Sequence, residues 1–146
     1  MPILSIIYRL AVALWVGGAS LFTFILTPII FKANPRDLAG VIVGQLFPAY
    51  FRWGLACGAV ALVIRLAMKG GQGLAATVIL LAMLLIASFQ AFYIEPRAAA
   101  LKKEIASFET TPKDHPARKA FAKLHGVSAV CNLAVIAGGV ALVVLP

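Results

Sequence analysis

Residues 74–104 read LAATVILLAMLLIASFQAFYIEPRAAALKKE. From Leu74 to Ile94 no side chain is charged, and then Glu95, Arg97, Lys102, Lys103 and Glu104 follow in quick succession. A bilayer hydrocarbon core about 30 Å thick takes roughly 20 helical residues, so the apolar part is long enough to cross it. The change of character at Glu95 then marks a membrane boundary. "RAAALKKEIASFE" (97–109) is rich in helix formers, which predicts that the helix runs on past Pro96 into water or head groups. "TTPKDHP" (110–116) ends it, and Pro116 suits the opening of a last helix.

Three more stretches of this kind, near residues 3–31, 38–68 and 124–145, join 74–95 to make four spans. The predicted fold is an all-α integral membrane protein, a four-helix antiparallel bundle in a single domain over residues 1–146, with helix 3 extended into the cytoplasm. Composition agrees: of 146 residues 62% are hydrophobic and 12% charged, too little polar surface to cover so apolar an interior in water. The first stretch lacks a basic n-region and exceeds a signal-peptide core in length, so it reads as a retained span. In "ANPRDLAG" (33–40), Asn34 is a candidate N-cap, with Pro35 at the first helical position and Asp37 in the first turn. "MKGGQG" (68–73) predicts a tight hairpin between spans two and three.

The net charge is +8, but seven of the thirteen Lys and Arg residues lie between Arg97 and Lys123, where they set topology and attract anionic lipid head groups rather than form a nucleic-acid face. With Lys32 and Arg36, nine basic residues face one side, against Arg9, Arg65 and Lys69 on the other. The positive-inside rule puts both termini on the non-cytoplasmic side, in a bacterial-type inner (plasma) membrane. Cys57 and Cys131 show neither metal spacing nor a disulfide framework.

Polar side chains within spans are costly and point to function or to interhelical bonding. Counting back from Arg65 puts the inner boundary of span two near Gln45, so Arg52 lies about 10 Å deep. Glu95, at the same depth on span three, is its expected partner, as a structural pair or as a relay. His125, Ser128 and Asn132 recur at i, i+3 and i+7, one stripe on span four. Gln90 and Tyr93 fall in the last turns of span three. Arg52, Gln90, Tyr93, Glu95, His125, Ser128 and Asn132 are therefore the candidate ligand-binding residues, converging on the cytoplasmic half. His125 can equally be a helix-start histidine bonded to a carbonyl, and the amides and Ser128 can equally be interhelical glue. No catalytic residue, cofactor or metal ligand set is assigned: a metal site needs three or four ligands, and His115 lies in the loop. On span one, Ala11, Trp15, Gly18, Phe22, Ile25 and Ile29 form a stripe with Gly17 beside it, and such small residues allow close approach of helices. In "FPAYFRW" (47–53), Pro48 introduces a kink and Tyr50 and Trp53 read as interfacial anchors.

"ALWVGGASLFTFILTPIIF", "FPAYF", "FYIEPRAAALKKE" and "FAKLHGVSAVCNL" together resemble the transmembrane-protein-205-like family of small four-helix membrane proteins of unknown function. The resemblance spans nearly the whole chain and rests on Trp15, Gly17, Gly18, Pro28, Phe47, Pro48, Tyr93, Pro96, His125, Gly126 and Asn132. It implies distant kinship with bacterial copper-resistance membrane proteins and haem-containing protoporphyrinogen oxidases. The oxidases carry a histidine early in span one, where this chain has Tyr8 and Arg9, so haem ligation does not carry over. The animal member's association with platinum-drug resistance hints at sulfur ligands, which are not clustered here. The function expected is binding or transport of a small solute, lipid or metal complex, with a homo-oligomer as one way for four spans to enclose a path. A redox, haem- or quinone-linked enzyme and a structural or assembly factor are the alternatives.

Overall fold

The computed structural model describes residues 2–68 and 74–144, so the "MKGGQG" hairpin lies, from Lys69 to Gly73, outside the described residues. Span one consists of α1 (Pro2–Leu21), a π-helical turn (Phe22–Leu26) and α2 (Thr27–Ala33). Span two is α3 (Arg36–Ala67). Span three repeats the composite form, with α4 (Leu74–Phe89), a π-helical turn (Gln90–Ile94) and α5 (Glu95–Glu104). Span four is α6 (Pro116–Val144). The spans are 29 to 32 residues long. At 1.5 Å per residue that is roughly 45 Å, enough for the hydrocarbon core and the head groups on both sides.

The bundle is inverted relative to a water-soluble one. In the most apolar window of each span at most 28% is buried, while Leu66, Leu85, Phe92 and Val130 are exposed. A skin of this kind is stable in lipid and not in water, so the protein is a multi-pass membrane protein. Span one packs on spans two and four, and span three packs on the same two. The centre is held by Val12, Trp15, Ala61, Leu80, Met83 and Val135.

Glycines let the helices close. The Trp15 ring lies over Gly54 and Gly58 of α3, where a Cβ would come within 2.6 Å and 2.5 Å of its ring atoms. Trp53 of α3 lies in turn over Gly18, where a Cβ would be 3.2 Å from its indole nitrogen. That nitrogen donates to the Leu14 carbonyl at 3.3 Å, so Trp53, although half-exposed, also ties span two to span one. A Cβ at Gly17 or at Gly126 would meet nothing within 4 Å, so these two motif glycines face outward.

Both π-helical turns stand directly ahead of a proline, whereas Pro48 is accommodated within the α-helix of α3. Pro28 and Pro96 lack an N–H, and in a regular helix each ring would collide with the carbonyl four residues earlier, those of Phe24 and Phe92. The chain instead widens just ahead of each proline: Thr27 N–H bonds to Phe22 C=O and Glu95 N–H to Gln90 C=O, five residues back. The inserted residue rotates the rest of the helix. The stripe expected on span one holds through Ala11, Trp15 and Phe22, but Ile25 and Ile29 turn outward and are 49% and 57% exposed.

Two boundaries differ from expectation. Asn34 does not cap α3; its side-chain amide donates back to Ile30 C=O at 2.9 Å and closes the end of span one. Arg36 is the first helical residue after Pro35, and its N–H goes to Glu109 Oε1 at 3.1 Å. The extension of span three stops at Glu104, not at Glu109, because α3 captures the next residues. Asp37 accepts from the Ser107 hydroxyl at 2.5 Å and from Phe108 N–H at 2.7 Å. His115 caps α6, with Nδ1 accepting from Ala117 N–H at 3.3 Å.

Candidate functional site

The basic residues between α5 and α6 gather at one end of the bundle, the basic end, together with the first turns of α3. There α5 packs along α6 and stands away from α3. The gap is an open cavity of about 850 Å³. Deep in it are Val43, Phe47, Phe51 and Ile94, and toward the loop Phe108 and Phe121. Around these stand Arg36, Lys102, Lys103, Lys113, Arg118 and Lys119, with Glu95 and His125. Apolar walls with a few polar groups and a volume of this size are typical of small-molecule sites.

Lys102 bridges the gap, its Nζ donating to the Gly40 carbonyl. Helix α3 offers that carbonyl because Gly40 and Gly44 leave its wall bare: a Cβ would lie 3.2 Å and 3.5 Å from Lys102 Nζ. Arg118 is fixed on the other side, donating to Thr111 C=O with its guanidinium 5.6 Å from the centre of the Phe108 ring. Phe108 meets Phe121 at 4.9 Å, and Phe121 stacks on His125 at 6.3 Å and 6°. Aromatic and cationic contacts thus order one wall without neutralising it.

Below the cavity the bundle is closed by hydrogen bonds. Tyr50 Oη donates to Asn132 Oδ1, and Asn132 Nδ2 donates to Thr23 Oγ1, which ties spans one, two and four together. Ser128 Oγ donates to Gln90 Oε1 at 3.1 Å, tying spans three and four. Phe22 stacks on Tyr50 with centroids 4.5 Å apart. The π-helical turns supply part of this layer, since Phe22, Thr23 and Gln90 lie in them. Beneath it remains a void of about 10 Å³ beside Trp15, Tyr50, Gln90 and Asn132. That is room for about one water.

The seven candidate residues are therefore divided. Glu95, His125 and Ser128 line the cavity; Gln90, Ser128 and Asn132 form the layer beneath it. Arg52 and Tyr93 lie elsewhere. The expected Arg52–Glu95 pair is not formed: Arg52 is exposed, and its Nε donates to the Pro48 carbonyl one turn back at 3.0 Å. Helical side chains lean toward the N-terminus, which for α3 is the basic end, so Arg52 can snorkel where a buried pair had been expected. Tyr93 stacks outward on Phe89 at 5.1 Å with Arg97 4.5 Å above its ring. Among the motif positions, Phe47 lines the cavity and Pro48 leaves Gly44 C=O, in the same wall, without its helical donor.

Sequence reasoning missed Tyr50, Thr23, Lys102 and the Asp37–Ser107 clasp. Tyr50 is not an interfacial anchor but a donor within the bundle. At the opposite end Arg65 is buried and donates to Thr77 Oγ1 at 3.3 Å, a contact that joins spans two and three. Among the described residues no group of three or more His, Cys, Asp or Glu side chains converges as a metal site would require.

Four lipid-facing helices, closed at mid-depth and open at a basic end, define a small multi-pass helical membrane protein with a one-ended cavity. The chain belongs to the family described as Domain of unknown function (DUF4149), which matches residues 10–107. That region runs from within span one to the end of span three and leaves His125, Ser128 and Asn132 beyond it. An uncharacterized protein of Aquifex aeolicus (strain VF5) is 33% identical over 131 residues, covering 88% of this chain and 87% of that protein. No solved structure matches.

Proposed function

We propose that this protein is a non-enzymatic membrane protein that binds a small ligand in the cavity at its basic end, and that it does not conduct solute through a single protomer. One observation carries the reading: the cavity of about 850 Å³ is followed by a hydrogen-bonded layer and then by a void of about 10 Å³. Binding needs the first and passage is blocked by the second. The basic end is the cytoplasmic one and the membrane is a bacterial-type inner membrane, a placement supported by nine basic residues there against Arg9 and Arg65 among the described residues at the other end. The finer kinship with transmembrane-protein-205-like proteins, resting on the quoted motifs, belongs to the same proposal.

The test is native mass spectrometry of protein released from its own membranes. Gly44→Phe puts a ring into the cavity, whereas Gly17→Phe puts the same ring into open space. The expected result is a bound small molecule retained by the native protein and by Gly17→Phe and lost from Gly44→Phe. Equal retention by both variants, or none by the native protein, would overturn the proposal.

A further inference from the structure

The cavity combines three properties that together specify a ligand class. Its rim holds six cationic side chains against one carboxylate, Glu95, so an anion is favoured. Phe47, Phe51, Val43 and Ile94 farther in form a wall that a small hydrated anion would leave bare. Its depth in the membrane is the third. The Lys102 Cα lies seven residues beyond Glu95 on a continuous helix, about 10 Å outside the hydrocarbon boundary, and its side chain leans back toward the helix N-terminus, which brings the ammonium down to head-group level. Charge is therefore placed where a lipid carries its phosphate, and aromatic surface where its chains begin.

Resting on the ligand-binding reading above, we propose that the ligand is an anionic glycerophospholipid, its phosphate held by Lys102 and Lys119 and the start of an acyl chain lying between α3 and α5. Lys102 is suited to this because Gly40 C=O takes only one of its three N–H groups and fixes the ammonium across the gap. The acid that acts electrostatically on Lys102 is Asp37. Asp37 already accepts from Ser107 and Phe108, so it is held on the loop and not on the lysine. Lys119, on α6 beside α5, is exposed and lines the cavity, one turn before Lys123, which does not. The bare glycine wall at Gly40 and Gly44 is what lets the Lys102 side chain lie against α3, and the space left for a chain is the apolar part of the cavity between Val43, Phe47, Phe51 and Ile94.

The experiment titrates delipidated full-length protein in a neutral maltoside detergent with dioleoyl phosphatidylglycerol, with phosphatidylcholine of the same chains and with glycerol 3-phosphate, reading occupancy by native mass spectrometry. A basic residue near an anionic lipid surface is worth about 1 kcal/mol, or about fivefold in affinity. Phosphatidylglycerol is expected to bind at least about fivefold tighter than phosphatidylcholine, and glycerol 3-phosphate not to displace it at equal concentration. Lys102→Gln and Lys119→Gln should each weaken phosphatidylglycerol about fivefold, while the charge-matched control Lys123→Gln changes it less than about twofold. The exposed Lys119 side chain holds no other element in place, so Lys119→Gln keeps the test open if Lys102→Gln fails to fold. Equal binding of the two lipids, or an equal loss in Lys123→Gln, would overturn the anionic-lipid assignment. So would displacement by glycerol 3-phosphate. If in any of these cases Gly44→Phe still abolishes retention of the native ligand, the cavity reading survives alone. Undiminished phosphatidylglycerol binding by Gly44→Phe would remove both.

Discussion

Replacing Gly58 by alanine tests whether the bundle is closed by tryptophan against glycine. The new Cβ would lie 2.5 Å from both Trp15 Cζ3 and Leu84 Cδ2, and 2.9 Å from Trp15 Cη2. Carbon atoms in contact prefer about 3.5–4.0 Å, so the ring and the leucine must each retreat by about 1 Å. Trp15 is 3% exposed and at the centre of the packing, with Val12, Leu80 and Met83 around it, so it has little space to do so. Overpacking of this kind costs about 1–3 kcal/mol, against which alanine recovers roughly 0.5–1 kcal/mol of helix preference over glycine. The net expectation is a loss of up to about 2.5 kcal/mol, centred on about 1 kcal/mol. At Gly17, where a Cβ meets nothing within 4 Å, only the gain operates, and Gly17→Ala should be neutral or stabilising. Equilibrium unfolding in mixed micelles with increasing dodecyl sulfate, followed by tryptophan fluorescence, measures both. Midpoint shifts of the same direction and size in the two variants would refute the reasoning.

The hydrogen-bonded layer should behave as a unit. Tyr50→Phe and Asn132→Leu each break the Tyr50–Asn132 bond, and a double-mutant cycle in the same unfolding assay should give a coupling of about 0.6 kcal/mol, up to about 1.7; additive effects would mean that the bond contributes nothing. Ser107→Ala removes the donor to Asp37 and the acceptor of the Glu109 and Thr110 N–H groups, so the loop should loosen by about 1 kcal/mol, seen as roughly fivefold faster hydrogen exchange at Phe108 without loss of the bundle. Unchanged exchange at Phe108 would show that the clasp is not what orders the loop.

The four spans were legible because lipid imposes one strong requirement, about 20 apolar residues in a row, and residues 74–94 meet it without interruption. Helix faces were legible only as far as helices stay regular. Extrapolating at 100° per residue placed Ser128 and Asn132 correctly toward the bundle, because α6 is unbroken. The same arithmetic failed for Ile25 and Ile29, which lie beyond the start of a widened turn. Pro28 and Pro96 were visible in the sequence, but Pro48 lies in a helix without a widened turn, so proline alone does not announce one. Arg52 was misread because depth was counted at the Cα, whereas the side chain leans toward the basic end and leaves the cost of burial behind. Lys102 could not be found by spacing, since its partner is a backbone carbonyl that only two glycines expose. The Asp37 clasp joins residues about 70 apart in sequence, and no local pattern announces it.

The proposed function turns on a cavity that opens at the basic end and stops at the hydrogen-bonded layer. Single cysteines at Ala98, Ala122 and Val135, in a background with Cys57 and Cys131 replaced by alanine, test this through modification by a membrane-impermeant maleimide. Ala98 and Ala122 line the cavity, whereas Val135 lies beneath the layer and is 2% exposed. Ala98→Cys and Ala122→Cys are predicted to react only when the reagent is on the side of the basic loop, and Val135→Cys from neither side. Comparable reaction at all three positions, or reaction at position 135 from the loop side, would contradict the account and reopen passage through the bundle.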